Sequence, residues 1–271
     1  MNFSLGFIGT GNMGSAMIKS VAKAGMIPAD KIFMYDVDMA KLQDLQKETG
    51  ASIARSSENL TEKADIIILA VKPNILKTVL ENIKPKLDDR KILVSFAVGI
   101  PIKFYKEIVG YDKKIVRTMP NTPMQVGEGM TLISYDNNIK ADELDVIKAL
   151  FDCTGKSEFL DEKLMSEVTA LTGSSPAYVY MFIEAMADAA VLSGIPRTLA
   201  YKLASQAVLG SAKMILETGM HPGELKDQVC SPAGTTIEAV SALEKNGFRY
   251  SIIEAMNECT KKAREIGKIY G

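Results

Sequence analysis

The chain has 271 residues, of which 47% are hydrophobic and 24% are charged, and its formal net charge at pH 7 is −1. This composition is ordinary for a folded globular protein and excludes a disordered one. The near-neutral charge argues against nucleic acid or an anionic membrane surface as a partner, so we expect a small ligand in a local pocket.

The first predicted element is a short buried strand, Phe3–Ile8, which runs into a glycine-rich turn and then into a helix over Ser15–Ala24. In such a turn Gly9 permits the sharp bend, Gly11 lets a pyrophosphate approach the backbone, and Gly14 lets the helix pack on the strand. Free N–H groups at the helix start then face the phosphates. The candidate dinucleotide-binding residues of this segment are Ile8, Gly9, Thr10, Gly11, Asn12, Met13 and Gly14.

A second predicted strand, Lys31–Tyr35, ends in Asp36, which lies 22 residues beyond Gly14. An acidic side chain at about this spacing binds the ribose 2′-hydroxyl of NAD, and its charge would repel the 2′-phosphate of NADP. We therefore expect Asp36 to contact the cofactor and NADH to be used at least as well as NADPH. The alternative, a glycine-rich turn with no ligand, is disfavoured by the order of strand, turn, helix, strand and acid.

Strands and helices continue to alternate as far as Asp161, which predicts a doubly wound, mostly parallel α/β sheet covered by helices on both faces. We assign residues 1–161 to this Rossmann-like dinucleotide-binding domain. Its further predicted elements are a helix over Met39–Thr49 stopped at Gly50, a central strand Asp65–Val71, an amphipathic helix Asn74–Ile83, strands Ile92–Phe96 and Ile115–Thr118, a sheet-edge strand Met130–Ser134, a helix Ala141–Phe151 and a short strand Glu158–Leu160.

Beyond Asp161 the strand signal disappears, which predicts an all-helical second domain over residues 162–271. Its segment Pro176–Ser193 is apolar on nearly every face, although Glu184 and Asp188 exclude a membrane span. A domain of about a hundred residues struggles to cover two such helices alone, so we expect a second subunit to cover them. The predicted helices are Leu164–Leu171, Pro176–Ser193, Leu199–Glu217, Thr235–Lys245 and Tyr250–Ile269.

In a doubly wound sheet the ligand binds outside the carboxyl ends of the strands. Two predicted segments follow strands at that edge, and each has two possible roles. Lys72 follows the central strand and either balances the charge of a pyrophosphate or is an ordinary solvated lysine. Asn121 and Thr122 lie in a loop bounded by two prolines. Such a loop could line a ligand-binding site or could be an ordinary turn after a strand, and the pattern fits both equally well.

The informative stretch of the helical half is centred on Gly234. Thr235 with Glu238 three residues later forms a capping-box pattern. The plain interpretation of this pattern is a helix whose N-terminus is capped by its own side chains. In the alternative interpretation Gly234 opens the backbone, so that the N–H groups of Thr235 and Thr236 hold a carboxylate at the positive end of the helix. The hydroxyls of Ser231 and Thr236 would complete this cradle.

The histidine and cysteine content predicts neither a metal site nor a disulfide framework. His221 lies in a turn with no second histidine nearby, so we interpret it as structural. Cys153, Cys230 and Cys259 are odd in number and lack metal-ligand spacing, which suits a reducing compartment. The first strand begins with no basic and apolar leader before it, so the cytoplasm is the expected location.

The segment Val229–Ala239 is the most specific motif of the chain, and with five others it resembles the pyrroline-5-carboxylate reductase family over nearly the whole length. The glycine-rich turn alone is shared with many dehydrogenases. Ala233 stands where a second glycine is common, which is a small change unless that position needs a positive φ. The other matching segments are Gly6–Gly14, Ala70–Pro73, Met119–Pro123, Gly173–Tyr178 and His221–Asp227.

This resemblance implies reduction of 1-pyrroline-5-carboxylate to L-proline with NADPH or NADH, the closing step of proline synthesis. It also implies a homodimer interleaved through the helical domain and often built into larger rings. On this hypothesis Thr236, the candidate catalytic residue, hydrogen-bonds the ring nitrogen. Substrate contacts are expected at Ser231, Gly234, Thr235, Thr236 and Glu162, and further cofactor contacts at Ala70, Val71, Lys72, Pro73 and Ala97.

Two other functions compete with this interpretation. The 3-hydroxyacid dehydrogenases also follow a nucleotide-binding domain with helices, but they use a lysine on an early helix of the second domain. This chain has no lysine between Leu164 and Tyr201, which counts against them. A dinucleotide-sensing regulatory protein would bind NAD(P)H without oxidising it when offered the imine.

Overall fold

The computed structural model describes residues 3–270. Its strands are β1 (Leu5–Ile8), β2 (Ile32–Tyr35), β3 (Ser52–Ile53), β4 (Ile66–Leu69), β5 (Ile92–Ser95), β6 (Lys114–Met119), β7 (Gly129–Tyr135) and β8 (Gly155–Phe159). They form one sheet in the order β3-β2-β1-β4-β5-β6-β7-β8. All neighbouring strands are parallel except β6 and β7, which confirms the doubly wound, mostly parallel sheet.

Helices connect these strands and then make up the rest of the described chain. They are α1 (Asn12–Ala24), α2 (Met39–Thr49), α3 (Ser57–Lys63), α4 (Pro73–Ile83), α5 (Ile102–Val109), α6 (Ala141–Asp152), α7 (Met165–Val168), α8 (Ser175–Leu192), α9 (Arg197–Thr218), α10 (Pro222–Val229), α11 (Thr235–Lys245) and α12 (Phe248–Tyr270). Short 3-10 segments lie at Ala29–Lys31, Lys84–Lys86, Thr122–Val126 and Glu162–Leu164, and a π-helical turn spans Thr169–Gly173.

The central strands are buried on both faces, which explains why they read as uninterrupted apolar runs. In β4, Ile66 and Ile68 belong to one buried cluster, whereas Ile67 and Leu69 belong to another. Successive side chains of a strand point to opposite faces, so the two clusters are the two faces of the sheet. Since β1 is followed in space by β4, the strand order changes direction between them, and the carboxyl ends of these two strands form the topological switch point.

Most predicted elements of the sheet-containing half are confirmed within a few residues. α2 begins at the cap Asp38 and stops at Gly50, whose φ is +74°. The prediction of β7 as an edge strand was wrong, because β7 pairs with both β6 and β8 and β8 forms the edge. The sequence interpretation also missed three helices, α3, α5 and α10, and the two-residue strand β3.

The chain divides into two compact units. One, the sheet unit, comprises the described residues up to Ser174 and those from Cys259 onward; the other, the helical unit, comprises Ser175–Glu258. These divisions differ from the predicted boundary after residue 161, because the following segment and the end of α12 pack within the sheet unit. Arg264 of α12, for example, donates to both carboxylate oxygens of Glu167, at 3.0 and 2.7 Å.

Large apolar side chains of the helical unit are exposed in the single chain. Of the residues in α8, which is apolar on nearly every face, Ala187 is the one that is buried. Leu192 is 90% exposed and Leu216 is 83% exposed. Within residues 3–270 no helix has the length and hydropathy required to cross a bilayer. The helical unit therefore carries apolar surface that its own residues leave uncovered.

Candidate functional site

The glycine-rich turn lies at the switch point of the sheet. Gly9 has φ +99°, and a Cβ added there would lie 2.6 Å from the carbonyl oxygen of Ala70, at the end of β4. A Cβ added at Gly14 would lie 2.3 Å from the carbonyl oxygen of Gly9. These contacts explain two of the glycines: one allows the turn to touch the neighbouring strand end, and the other allows α1 to pack against the turn.

Gly11 differs from the other two glycines because open space surrounds it. A Cβ built there meets no protein atom within 4 Å. Gly11 is the N-cap of α1 and provides no side-chain cap, so the N–H groups of the first turn, beginning at Asn12 and Met13, remain available to an anion. This geometry fits the pyrophosphate of a dinucleotide.

Asp36 follows β2 and holds the glycine-rich turn in place. Its Oδ2 accepts hydrogen bonds from the N–H and the hydroxyl of Thr10, at 2.6 and 3.0 Å, and its Oδ1 accepts one from the N–H of Asp38 at 3.0 Å. Burial alone would raise the pKa of Asp36, but the hydrogen bonds from Thr10 and Asp38 outweigh it and hold this pKa below the ordinary value. The carboxylate is therefore ionised at neutral pH.

An apolar rim next to Asp36 was missed by the sequence interpretation. Val37 is 93% exposed, and Met39, two residues later in the chain, is also exposed. Large apolar side chains at the mouth of a polar turn offer contact area to a flat, weakly polar ring such as adenine. The sequence does place hydrophobic residues directly after the end of a strand. That their side chains are exposed was not predictable from the pattern.

The ends of β4 and β5 place the remaining predicted cofactor residues at the same edge of the sheet. Lys72 is the exposed N-cap of α4, and Pro73 is its first residue. Ala97, in contrast, is only 4% exposed, and it is Val98 beside it that is 46% exposed. The Ala97 methyl group is therefore not available to a ligand, whereas the Val98 side chain is accessible.

The side chain of Asn121 stabilises the turn after β6 with both ends of its amide. Its Nδ2 donates to the carbonyl of Thr172 at 3.0 Å, and its Oδ1 accepts from the N–H of Met130 at 2.8 Å. Both ends of the amide are thus engaged within the sheet unit. Of the two interpretations of this loop, the geometry supports an ordinary turn after a strand rather than a segment that lines a ligand-binding site.

The start of α11 differs from the capping box that the sequence pattern predicted. The N-cap is Gly234, with no side-chain cap, and Thr235 is the first helical residue. The capping-box interpretation was therefore wrong, because Thr235 lies one residue too late to cap. The hydroxyls of Ser231 and Thr236 have no hydrogen-bond partner in the described part of the chain. The first turn of α11 consequently presents unpaired N–H groups and two free hydroxyls, as the alternative interpretation requires.

The turn before α11 is held in an unusual backbone conformation. Ala233 has φ +55° and is the non-glycine residue with positive φ in residues 3–270. The N–H of Gly234 donates to the carbonyl of Ser231 at 3.0 Å. A Cβ at Gly234 would lie 2.3 Å from Ser231 Oγ, so glycine at this position leaves the space that the hydroxyl occupies.

Replacing Ala233 with glycine is expected to raise the free energy of unfolding by about 0.8 kcal/mol, the difference between the mid-range values of two opposing effects. Relief of the left-handed conformation contributes about 1–2 kcal/mol, and the greater freedom of glycine in the unfolded chain removes about 0.4–1 kcal/mol. Denaturant unfolding at fixed protein concentration measures the difference. Ala239→Gly, within α11, is the opposite control and should lower the free energy of unfolding; an Ala233→Gly protein that is equally or less stable contradicts the strain.

Two other predicted residues have structural partners. Nδ1 of His221 accepts from the N–H of Gly223 at 3.1 Å and so caps α10. Glu162 lies in the sheet unit, where its Oε1 accepts from Arg117 Nη1 at 3.1 Å and from the N–H of Ile102 at 2.7 Å. The buried guanidinium of Arg117 needs this counter-charge. In the structure Glu162 therefore stabilises Arg117 and the start of α5. The expected position of Glu162 near the substrate stays a prediction.

The chain is similar to known reductases along its whole length. Residues 162–266 match the family described as pyrroline-5-carboxylate reductase dimerisation, and residues 4–99 match the family described as NADP oxidoreductase coenzyme F420-dependent. The chain is 46% identical over 268 residues to the pyrroline-5-carboxylate reductase of Escherichia coli (strain K12), a match that covers 99% of this chain and 100% of that one. It is 39% identical over 267 residues to the Arabidopsis thaliana protein, covering 98% and 96% of the two chains.

Solved structures give the same result. The Plasmodium falciparum pyrroline carboxylate reductase with NADP bound is 37% identical, with a TM-score of 0.89 and 98% of both chains covered. The pyrroline-5-carboxylate reductase of Coxiella burnetii is 30% identical, with a TM-score of 0.92, covering 98% of this chain and 99% of that one. These matches extend over the sheet unit and the helical unit alike. The chain belongs to the pyrroline-5-carboxylate reductase family.

Proposed function

We propose that this protein reduces the imine bond of 1-pyrroline-5-carboxylate to give L-proline, with NADH or NADPH as the reductant. Family membership supports the reaction and its place as the last step of proline synthesis. The structural observation that carries the assignment of the substrate site is the uncapped start of α11, where main-chain N–H groups and the free hydroxyl of Thr236 lie together.

The sheet unit holds the cofactor. The first turn of α1 after Gly11 binds the pyrophosphate, Asp36 accepts from the ribose, and Ala70–Pro73 with the backbone around Ala97 line the remaining length. The bound nicotinamide supplies the hydride. The contribution of these residues is to hold the cofactor in one orientation, because hydride transfer depends on alignment more than on acid–base strength.

The helical unit holds the substrate. The N–H groups of Thr235 and Thr236 bind the ring carboxylate at the positive end of α11, and the hydroxyl of Ser231 adds a further donor. Thr236 Oγ1 hydrogen-bonds the ring nitrogen. A protonated imine is already electrophilic, so this arrangement needs no strong general acid among the neighbouring side chains.

We further propose that the protein is a cytoplasmic homodimer, with larger rings built from that dimer. The exposed apolar residues of α8 and α9, such as Leu192 and Leu216, support a second copy as their cover, since a homodimer interface is enriched in such side chains. The match of residues 162–266 to a dimerisation family points to the same helices.

A spectrophotometric assay tests the reaction against its competitors. Loss of reduced cofactor in the presence of pyrroline-5-carboxylate is the expected result, with no cofactor reduction when hydroxyisobutyrate-type acids are offered with the oxidised form. Binding of NAD(P)H without its oxidation would instead identify a sensing protein, and turnover of the hydroxyacids would identify a dehydrogenase.

The same assay tests the role of Asp36 in cofactor choice. We expect kcat/KM for NADH to be at least equal to that for NADPH, because the ionised carboxylate repels a 2′-phosphate. Asp36→Asn keeps an acceptor for Thr10 but removes the charge, and it should shift the NADPH to NADH ratio of kcat/KM upward about tenfold, the effect of about 1.4 kcal/mol. A wild-type KM for NADPH far below that for NADH would show this reasoning to be wrong.

A further inference from the structure

The loop that follows β5 is held by contacts that the proposed reaction does not use. This β5 loop is defined as Phe96–Ile100. Ala97 and Gly99 are buried, whereas Val98 between them is exposed. The loop therefore presents one side chain and its own backbone at the ligand edge of the sheet, and the direction of that backbone decides what it can bind.

The near end of the β5 loop is fixed by a buried pair of hydroxyls. The N–H of Ala97 donates to Ser95 Oγ at 3.2 Å. Ser95 Oγ in turn lies 2.6 Å from the Tyr105 hydroxyl on α5. Burial raises the pKa of the Tyr105 phenol well above its ordinary value, so the group stays protonated at working pH and the pair stays neutral.

The far end of the β5 loop packs against the last turns of α12. Gly99 has φ +79°, and a Cβ added there would lie 2.7 Å from Cγ2 of Ile266. Close by along the chain, Phe104 packs edge-on against Tyr270, with ring centroids 5.6 Å apart. The loop is thus fixed at both ends within the sheet unit, by hydrogen bonds at one end and by packing at the other.

The hydroxyl of Tyr105 needs an explanation beyond packing. Its ring lies in an apolar cluster with Ile100, Ile102 and Ile115, where phenylalanine would fill the same space. A buried hydroxyl is costly unless it is hydrogen-bonded. The partner of the Tyr105 hydroxyl is Ser95, and the other contact of Ser95 Oγ is with the amide of the β5 loop.

We propose that Tyr105 is a positioning residue for the cofactor, acting through Ser95 on the Ala97 amide to set the shape of the β5 loop. The inference rests on the proposed function only for the identity of the ligand, NADH or NADPH. Tyr105 is itself buried and acts through another residue, so its effect is on binding and orientation rather than on the chemical step.

The test is Tyr105→Phe, which removes one oxygen atom and keeps the ring. A fluorescence titration with NADH should give a Kd about five- to tenfold higher than wild type, the effect of one hydrogen bond. Peptides covering the β5 loop should exchange amide hydrogens faster, while those of the α1 turn stay unchanged. Ser95→Ala should raise Kd equally, and the double variant should add nothing, because both substitutions break one connected contact.

Tyr135→Phe is the matched control, because Tyr135 is half-exposed at the end of β7 and packs on Phe159 away from the β5 loop. Its Kd should equal that of wild type. An unchanged Kd in Tyr105→Phe, or additive effects of the two substitutions, overturns the proposal. The titration contains no substrate, so a wild-type protein that binds NADH but does not reduce the imine refutes the reaction and leaves this inference standing; a wild-type protein that binds no NADH refutes the inference.

Discussion

Replacing Thr236 with alanine is expected to lower kcat about a hundredfold while leaving the Kd for NADH unchanged. The Thr236 hydroxyl is free of partners in the described residues and lies in the first turn of α11, beside the N–H groups that bind the carboxylate in the proposed mechanism. Loss of one hydrogen bond aimed at the reacting group typically costs about 10²–10³ in kcat. Steady-state assay with pyrroline-5-carboxylate and a separate cofactor titration measure the two quantities.

The control for this substitution is Thr236→Ser, which restores the hydroxyl without the methyl group. It should recover most of the activity lost in the alanine variant. Both variants should unfold within about 0.5 kcal/mol of wild type, because the side chain is only half-buried. If Thr236→Ala turned over like wild type, the residue would have no place in the mechanism.

The second large effect is expected at Gly11. Because a Cβ at this position meets no protein atom within 4 Å, Gly11→Ala should fold as wild type does. The added methyl group would instead occupy the space through which the pyrophosphate approaches the start of α1. Losing two charge-assisted hydrogen bonds of about 1.5 kcal/mol each corresponds to a Kd for NADH about a hundredfold higher.

Gly14→Ala separates this effect from damage to the fold. A Cβ at Gly14 would lie 2.3 Å from the carbonyl oxygen of Gly9, so we expect this variant to lose about 1–3 kcal/mol of unfolding free energy. Thermal unfolding without cofactor, compared with titration by NADH, distinguishes the two substitutions. A Gly11→Ala protein that binds NADH like wild type would remove the α1 turn from the cofactor site.

Local signals in the sequence were sufficient for much of the sheet-containing half. The apolar run of β4, the glycine-rich turn after β1 and the stop of α2 at Gly50 were all predictable, because each depends on a residue's own backbone preference or on burial of a whole strand. The short helices α3, α5 and α10 were not. Helices of seven or eight residues are stabilised by what they pack against, and a local pattern does not contain that information.

Residue order was enough to identify the family, the alternation of strands and helices, and the residue types that meet at the switch point of the sheet. Which polar atoms of those residues are free became clear from the folded chain. Asp36 bonds to Thr10 and Glu162 to Arg117, across 26 and 45 residues, while Gly234 rather than Thr235 begins α11 and leaves Thr236 unpaired. Hydrogen-bond partners and backbone angles depend on contacts between distant parts of the chain, and residue order alone does not specify them.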